Sequence, residues 1–358
     1  MIRGMRFHWF LPTSGDGHYV RPATTTVAAG AAPVRVPTLR YLTQVALAAE
    51  QAGFEAALTP VGLGCPDPLV TCAAVAAKTD RLGLLVAFRP GFTLPTLLAQ
   101  QAEAFQEISG GRLRLNVVTG GDPAEQRAYG DFLNHDERYA RTAEYLHVLR
   151  RTWEGEPFSF TGDHYRVENA GLSTPLANPP EIYFGGASPA AERVAAEHAD
   201  VYLMWGEPPT MIAERLERMR KLTAETGRTL RYGIRLHIIA RDTSEEAWAY
   251  ARHLLSGMDP ERITAAQARF ARMDSVGQAR MAGLHGGSTD DLEISPGLWA
   301  GVGLVREGAG TALVGSYAEV AHRIREYAAL GLEEFILSGW PHLEESVRAG
   351  EFLLPLLR

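Results

Sequence analysis

"MRFHWFLPTSGDGHY", residues 5 to 19, decides the fold class of this chain. Its first half is an apolar run typical of a buried strand, and the turn after it lacks the G-x-G-x-x-G pattern of an open dinucleotide-binding sheet. Seven similar runs follow, and helical patterns separate them: 54–60, 81–89, 112–120, 181–186, 200–206, 231–241 and 333–339. Eight β-α units in 358 residues predict an α/β fold, a closed (β/α)₈ TIM barrel.

No domain boundary is evident along the chain, because glycine and proline are spread through all the predicted loops. We therefore interpret residues 1–358 as one barrel domain. One long stretch, 257–315, has no clear strand or helix periodicity and lies between two barrel units. Long loops in compact domains are often functional, so we predict an inserted, mobile lid at 257–315.

The composition excludes several classes of partner. The chain is 46% hydrophobic and carries a net charge of -7, with its Lys and Arg residues dispersed, which argues against nucleic acid or an acidic membrane surface. The two cysteines, Cys65 and Cys72, have no metal-ligand spacing, so we expect neither a disulfide framework nor a metal site. No signal pattern and no apolar stretch of about 20 residues is present, which predicts a cytoplasmic protein.

The seventh strand, "YGIRLHIIARD" at 232–242, carries two basic side chains within an apolar run. Alternate side chains of a strand share a face, so Arg235 and His237 point away from the face of Ile234, Leu236 and Ile238. Burying an arginine without a counter-charge costs several kcal/mol. The strand therefore predicts that this face is solvated, that a buried carboxylate pairs with Arg235, or that an anionic ligand meets Arg235 at the catalytic end of the barrel.

The fifth strand ends in a glycine-rich turn, "YFGGAS", followed by a helix that begins after Ser188. Such a turn presents backbone N–H groups to an anion such as a phosphate, although many β-α turns are rich in glycine without binding anything. Other polar or aromatic residues also follow strands. Cys65 is equally consistent with a small buried apolar residue, and Trp205 with simple packing.

Nine segments together resemble the reduced-flavin-dependent alkanesulfonate monooxygenases of the bacterial luciferase superfamily. The resemblance runs in the same order from Phe7 to the last helix and rests on "FLPTSGDGHY", "LVAFRPG", "GGRLRLNVVTGGDP", "HDERY", "PEIYFGGAS", "YLMWGEPP", "YGIRLHIIARDT", "EISPGLWAGVGLVREGAGTALVG" and "FILSGWPHLEE". It implies a (β/α)₈ barrel that takes FMNH₂ from a separate NAD(P)H-dependent FMN reductase. It also implies that O₂ is used to cleave the C–S bond of an organosulfonate, giving an aldehyde and sulfite.

The same resemblance implies roles for particular residues. The sulfonate site matches Arg235, Arg306, His237, Trp205 and Cys65, with Trp340 as a wall of the pocket. The FMN phosphate site matches Gly186, Ala187, Ser188 and Tyr139, with Asn116 and His135 nearer the flavin ring or the ribityl chain. The resemblance further predicts a homodimer or homotetramer.

The chain departs from the family pattern at four places. Trp340 replaces a tyrosine often assigned a proton role, and Ala187 replaces a serine of the phosphate turn. An indole donates a hydrogen bond but does not exchange a proton as a phenol does, so proton transfer would depend on His237, on solvent or on the flavin peroxide itself. The segment Val20 to Pro37 is longer than usual and is expected beside the mouth of the site. The chain ends at Arg358 without the family's longer tail, which leaves the oligomeric state open.

Three alternatives remain at this point. The same barrel could act on a sulfosugar or another sulfur-containing substrate. A deazaflavin-dependent oxidoreductase would transfer hydride without oxygen, although the matches at "GDGHY" and "LWAGVGLVR" count against it. A flavin-binding or storage protein would have no activity. Release of sulfite in a reductase-coupled assay distinguishes among these.

Overall fold

The computed structural model describes residues 4–20 and 35–358, and its core is the predicted barrel. The strands are β1 Arg6–Phe10, β2 Ala56–Thr59, β3 Gly83–Phe88, β4 Leu113–Val117, β5 Phe158–Thr161, β6 Arg166–Ala170, β7 Ile182–Gly185, β8 Val201–Trp205, β9 Arg231–Arg241, β10 Glu293–Ser295, β11 Leu298–Trp299, β12 Ala312–Ser316 and β13 Glu334–Ser338. Strands β1, β2, β3, β4, β7, β8, β9 and β13 pair in parallel in that order, and β13 closes the ring against β1. All eight predicted segments supply these strands, so the (β/α)₈ prediction is confirmed.

Helices surround the barrel and fill the connections. They are α1 Leu39–Ala52, α2 Pro68–Ala76, α3 Pro95–Ser109, α4 Pro123–Ala128, α5 His135–Trp153, α6 Pro189–His198, α7 Pro209–Thr226, α8 Ser244–Ser256, α9 Pro260–Phe270, α10 Val276–Gly283, α11 Tyr317–Ala329 and α12 His342–Arg348. Short 3₁₀ turns lie at Gly301–Leu304 and Leu354–Leu356, with a π-helical turn at Ala349–Leu353 between α12 and the second of them.

Local sequence explains where these helices start and stop. A proline begins several of them, at a position whose missing N–H costs nothing. Asn134 and Glu137 form a reciprocal capping box at the start of α5. Helix α1 ends at Gly53, whose φ of 88° lies in the left-handed region that glycine adopts without strain. The chain can therefore turn sharply from each helix into the next strand.

In strand β9, alternate side chains face the hydrophobic core and the interior of the barrel. Ile234, Leu236 and Ile238 pack in the apolar layer between barrel and helices, as predicted. Arg235 and His237 point the other way, toward the interior. Because β9 is 11 residues long, its first half pairs with β8 and its second half, from His237 onward, pairs with β12.

The stretch 257–315 is more regular than its sequence suggests. It contains α9, α10, the short antiparallel pair β10–β11, and most of β12, which joins the barrel sheet through β9. The weak periodicity arises because these elements are short and partly exposed. The predicted mobility of this stretch stays a prediction. A second excursion, the antiparallel hairpin β5–β6, was not predicted and leaves the barrel between α5 and β7.

Ion pairs close the amino-terminal end of the barrel. The imidazole of His8 lies 2.6 Å from the carboxylate of Glu334, and Arg231 lies 2.9 Å from the same side chain. The opposite end carries the loops, so that end is available for a site. Residues 21–34 of the long first loop lie outside the described residues. Within the described ranges, no helix has both the length and the apolar character needed to cross a bilayer.

Candidate active site

A cavity opens at the carboxyl ends of the barrel strands, where the sequence predicts the chemistry. Its walls come from the ends of β2, β4, β7, β8, β9 and β13 and from the stretch 257–315. Eight predicted site residues line it: Asn116, His135, Tyr139, Gly186, Ala187, Ser188, Trp205 and Arg235. The structure thus brings all six predicted cofactor residues to one cavity, together with Trp205 and Arg235 of the predicted anion group.

One end of the cavity is built for a phosphate. The turn Gly186–Ser188 leads into α6, and the Ser188 hydroxyl caps that helix by accepting from the Ala191 N–H at 3.2 Å. A Cβ at position 186 would lie 2.5 Å from the Ala191 Cβ and 3.2 Å from the Tyr139 hydroxyl, so only glycine fits. Burial raises the pKa of Tyr139, whose hydroxyl therefore stays a donor. Helix N–H groups and neutral hydroxyls suit a phosphate dianion, so these residues fit the phosphate of FMN.

The wall beside this turn is polar. The side chain of Asn116 is buried at the end of β4, and His135 packs its ring 4.9 Å from that of Tyr139. The His135 Nδ1 atom lies 2.6 Å from the Asp136 carboxylate, which leaves Nε2 as the remaining polar atom of the ring. Both side chains can hydrogen-bond the polar edge of a ligand bound between the phosphate turn and β9.

Arg235 lies deeper in the cavity, and its side chain is buried. Its guanidinium donates to the Leu236 carbonyl at 2.7 Å and to the Ser338 hydroxyl at 2.8 Å, and it lies 4.8 Å from the centre of the Phe10 ring. Among the described residues, no carboxylate forms an ion pair with it. Burial lowers the pKa of Arg235 to about 9, and the positive charge of Arg306 adds to this effect. Arg235 is therefore a desolvated cation, and an anionic ligand in the cavity would stabilise its charge.

Arg306 approaches the same ring from the stretch 257–315. Its guanidinium lies 5.6 Å from the centre of the Phe10 ring, and its side chain is buried. Burial lowers the pKa of Arg306, while the neighbouring carboxylate of Glu307 opposes that shift. Glu307 in turn pairs with Arg269 at 3.0 Å. Two guanidinium groups from different parts of the chain thus converge at Phe10, as the anion-site prediction requires.

His237 is fully enclosed behind Arg235. Its Nε2 lies 3.0 Å from the Ala309 carbonyl, its Nδ1 lies 2.7 Å from the Ser338 hydroxyl, and its ring stacks on Trp340 with centres 4.5 Å apart. Burial, Arg235 and Arg306 together hold the pKa of His237 well below its usual range, so the imidazole is neutral. Both of its nitrogens are already engaged.

Four predicted site residues do not line the cavity: Cys65, His237, Arg306 and Trp340. The indole of Trp340 is buried behind His237 and packs with α8 and the stretch 257–315. The thiol of Cys65 donates to the Pro60 and Gly62 carbonyls at 3.5 and 3.3 Å. Burial raises the pKa of Cys65 to about 11, so it is a thiol rather than a reactive thiolate.

Two buried carboxylates that shape the wall, each held by ion pairs, were not predicted from the sequence. Arg89 pairs with Glu125 across the loops after β3 and β4. Glu207, in "WGEPP" after β8, accepts from Arg215 at 3.0 Å and from Arg280 of α10 at 2.5 Å. The signal for these pairs was a charged residue directly after each strand, but the partner depends on long-range packing. Within the described residues, no group of three His, Cys, Asp or Glu side chains could hold a metal ion.

Comparisons with known proteins agree with this architecture. The family model described as luciferase-like monooxygenase matches residues 5–334. Riboflavin lyase, solved with modified FMN and riboflavin, is 21% identical to this chain, with a TM-score of 0.82. The match covers 99% of this chain and 92% of riboflavin lyase. EDTA monooxygenase from Chelativorans sp. BNC1 is 19% identical, with a TM-score of 0.79, and the match covers 99% of this chain and 93% of the monooxygenase. An F420-dependent secondary alcohol dehydrogenase, solved with an F420-acetone adduct, is 16% identical with a TM-score of 0.70, covering 99% and 100%. At these identities the three structures show a shared fold.

Proposed function

Because the chain belongs to the luciferase-like monooxygenase family, we propose that it cleaves the C–S bond of an organosulfonate with FMNH₂ and O₂. The reaction is RCH₂SO₃⁻ + O₂ + FMNH₂ → RCHO + HSO₃⁻ + FMN + H₂O, in which one oxygen atom enters the aldehyde and the other leaves as water. The reduced flavin would come from a separate NAD(P)H-dependent FMN reductase. The active form would be a homodimer or homotetramer.

The observation that carries this proposal is the pair Arg235 and Arg306 at Phe10. Both side chains are buried, and burial lowers the pKa of each. A sulfonate is the anion of a strong acid with three acceptor oxygens, so it remains charged at every physiological pH. Permanent cations with a planar array of donors match it better than lysine or histidine would. The site therefore favours a sulfonate over a neutral alkane or ketone.

The flavin would occupy the part of the cavity between the phosphate turn and Arg235. Gly186, Ala187, Ser188 and Tyr139 would hold its phosphate, and Asn116 with His135 would contact the rest of the molecule. When bound, reduced FMN supplies the electrons that activate O₂. The protein's own part is to hold the sulfonate carbon and sulfur against that group and to exclude water.

The stretch 257–315 would act as the lid that excludes water. It lines the cavity with Met273, Ser275–Gln278 and Glu307–Gly308. A Cβ at Gly277 of α10 would lie 3.0 Å from the Trp205 ring, so this helix packs closely over the end of β8. The same stretch carries Arg306. The covering stretch would therefore hold the second cation and shield the reaction together.

Two alternatives use the same geometry. A sulfosugar or another sulfur-containing compound would keep the anion site but need hydroxyl partners, which Glu207 and Gln278 on the wall could supply. A deazaflavin-dependent oxidoreductase would share the barrel, as does the F420-dependent dehydrogenase, but it would transfer hydride without oxygen. The buried pair of arginines favours an anionic substrate over a secondary alcohol.

A reductase-coupled assay tests the proposal. The protein, an FMN reductase, NAD(P)H and O₂ are incubated with short alkyl, long alkyl, cyclic and sugar sulfonates, and sulfite is measured. We expect sulfite that requires both FMN and O₂ and that disappears in Arg235→Ala. The exposed Arg151, which pairs with Glu154 on α5, provides the matched control Arg151→Ala with unchanged release. Anaerobic turnover with a deazaflavin and no sulfite from any sulfonate would contradict the proposal.

A further inference from the structure

Ser338, the last residue of β13, lies between two basic side chains of β9, Arg235 and His237. Its hydroxyl oxygen lies 2.8 Å from Nη2 of Arg235 and 2.7 Å from Nδ1 of His237, and the side chain is completely buried. Ser338 was not predicted to have a role, although the segment "FILSGWPHLEE" is one of those that carry the family resemblance. Parallel pairing of β13 with β9 places Ser338 directly beside His237.

The donors and acceptors fix the direction of each hydrogen bond. A guanidinium only donates, so Ser338 accepts from Arg235. A carbonyl only accepts, so the Nε2–H of His237 donates to Ala309 at 3.0 Å. A neutral imidazole carries one N–H, so Nδ1 is the acceptor and the single hydroxyl proton of Ser338 points to it. The chain of hydrogen bonds therefore runs from Arg235 through Ser338 and His237 to Ala309.

The charges around His237 favour this one arrangement. Arg235 on the same strand, Arg306 of the stretch 257–315 and His342 of α12 all disfavour a proton on its ring, while the Ala309 carbonyl alone favours it. Protonation at Nδ1 would also leave Ser338 accepting from two cations at once. The imidazole is thus held as the Nε2–H form.

Ala309 lies three residues after Arg306 in the same loop. Two further hydrogen bonds hold the end of this loop. The backbone N–H of His237 donates to the Thr311 carbonyl at 3.0 Å, and the Thr311 hydroxyl donates to the Gly206 carbonyl at 2.6 Å. The hydrogen-bond chain through Ser338 thus connects Arg235 with the backbone that positions Arg306.

We propose that Ser338 is a positioning residue of the anion site. It holds neutral His237 in one orientation, so that His237 connects Arg235 with the loop that carries Arg306. His237 then transfers no proton in the reaction. Its role is to hold Arg235 and Arg306 at a fixed separation. The part of this proposal that concerns substrate rests on the proposed function. The hydrogen-bond chain itself does not, because it exists in the free protein.

The first test is ¹⁵N NMR of histidine-labelled protein without substrate, with His237→Asn to assign the His237 signals. We expect Nδ1 to stay unprotonated and Nε2 to stay protonated through the pH range in which an ordinary histidine gains its second proton. Ser338→Ala should lose the single tautomer, while Ser338→Thr should keep it. Ser346 is a matched control, because it is equally buried and its hydroxyl donates only to the Leu343 carbonyl at 2.7 Å. A protonated Nδ1, or an unchanged tautomer in Ser338→Ala, would overturn the proposal.

The second test is steady-state kinetics with a sulfonate. Ser338→Ala should raise KM roughly 10-fold to 100-fold, as expected for losing a hydrogen bond to a charged group, with a smaller change in kcat and an unchanged Kd for FMNH₂. Ser338→Thr should restore most of the KM, and the pH profile of kcat should be the same in wild type and His237→Asn. If a pKa disappears from the pH profile of kcat in His237→Asn, His237 transfers a proton. That result would overturn the purely positioning role. If the wild type releases no sulfite from any sulfonate, the proposed function fails, and the NMR result still decides the hydrogen-bond chain.

Discussion

Replacing Arg235 with methionine should make the protein more stable and inactive at the same time. Burial, reinforced by the positive charge of Arg306, lowers the pKa of Arg235 to about 9, and no carboxylate in the part of the chain that the structure describes pairs with its guanidinium. Each tenfold change in a proton equilibrium corresponds to 1.4 kcal/mol, so keeping this charge at pH 7 costs on the order of 5 kcal/mol. Methionine has a similar length and no charge, and it removes that cost.

The net gain is smaller than the cost of the charge. Arg235→Met also loses the hydrogen bonds to Leu236 and Ser338 and the contact with Phe10. Replacing buried charges with apolar residues of similar volume typically stabilises proteins by about 1–4 kcal/mol, so we expect about 1–3 kcal/mol here. The folded-state pKa of Arg235 lies below that of the unfolded chain, so the penalty is complete below pH 9 and shrinks above it. The gain should therefore be constant from about pH 6 to 8 and decline above pH 9.

Denaturant midpoints and sulfite release, measured on the same samples, test this prediction. The control is Arg138→Met, because Arg138 is equally buried but its Nη2 lies 2.7 Å from the Asp274 carboxylate. That variant should lose about 3 kcal/mol, since it leaves Asp274 without its partner. A saturating sulfonate, at about 100 times its Kd, should stabilise the wild type by about 2.7 kcal/mol and leave Arg235→Met unchanged. Destabilisation of Arg235→Met to the level of Arg138→Met would refute the reasoning, because it would reveal a buried counter-charge.

Three further predictions concern the other parts of the site. Arg306→Lys should recover little of the activity lost in Arg306→Ala, because an ammonium lacks the planar set of donors; sulfite release near the wild-type rate would contradict this. Gly186→Ala should weaken FMNH₂ binding at least tenfold in anaerobic titrations, because its Cβ would lie 2.5 Å from the Ala191 Cβ, and unchanged affinity would remove the turn from the phosphate site. Trp340→Tyr should retain sulfite release with the same preference among short, long and cyclic sulfonates, because the indole lies behind His237; loss of turnover with every sulfonate would assign Trp340 a direct role.

The barrel could be predicted from sequence because its signals are local. Apolar runs and helix periodicity recur eight times, and each depends only on neighbouring residues. The alternation in β9 likewise predicted which face Arg235 and His237 occupy. The hairpin β5–β6 was missed because its strands are largely exposed and carry polar residues. Helices α9 and α10 were missed because they are short and partly exposed.

The partners within the site could not be predicted in the same way. Glu125 lies in the short helix α4, and its ion pair with Arg89 depends on how α4 packs against the loop after β3. Ser338 gave no signal at all, because one serine at a strand end has many possible roles. Trp340 was expected to wall the pocket, whereas its burial behind His237 follows from packing against α8 and the stretch 257–315.

The length of β9 links the barrel to the stretch that covers it. The other barrel strands have four to six residues, whereas β9 has 11 and extends beyond β8. Its extra half pairs with β12, with Ala312 opposite His237, so the stretch 257–315 is anchored on the same strand that carries Arg235. Arg306, which lies at Phe10, belongs to the same stretch that this pairing anchors. A polar substitution at the buried Ile239, in the second half of β9, should weaken the pairing of β9 with β12. It should therefore impair anion binding although Ile239 does not line the cavity.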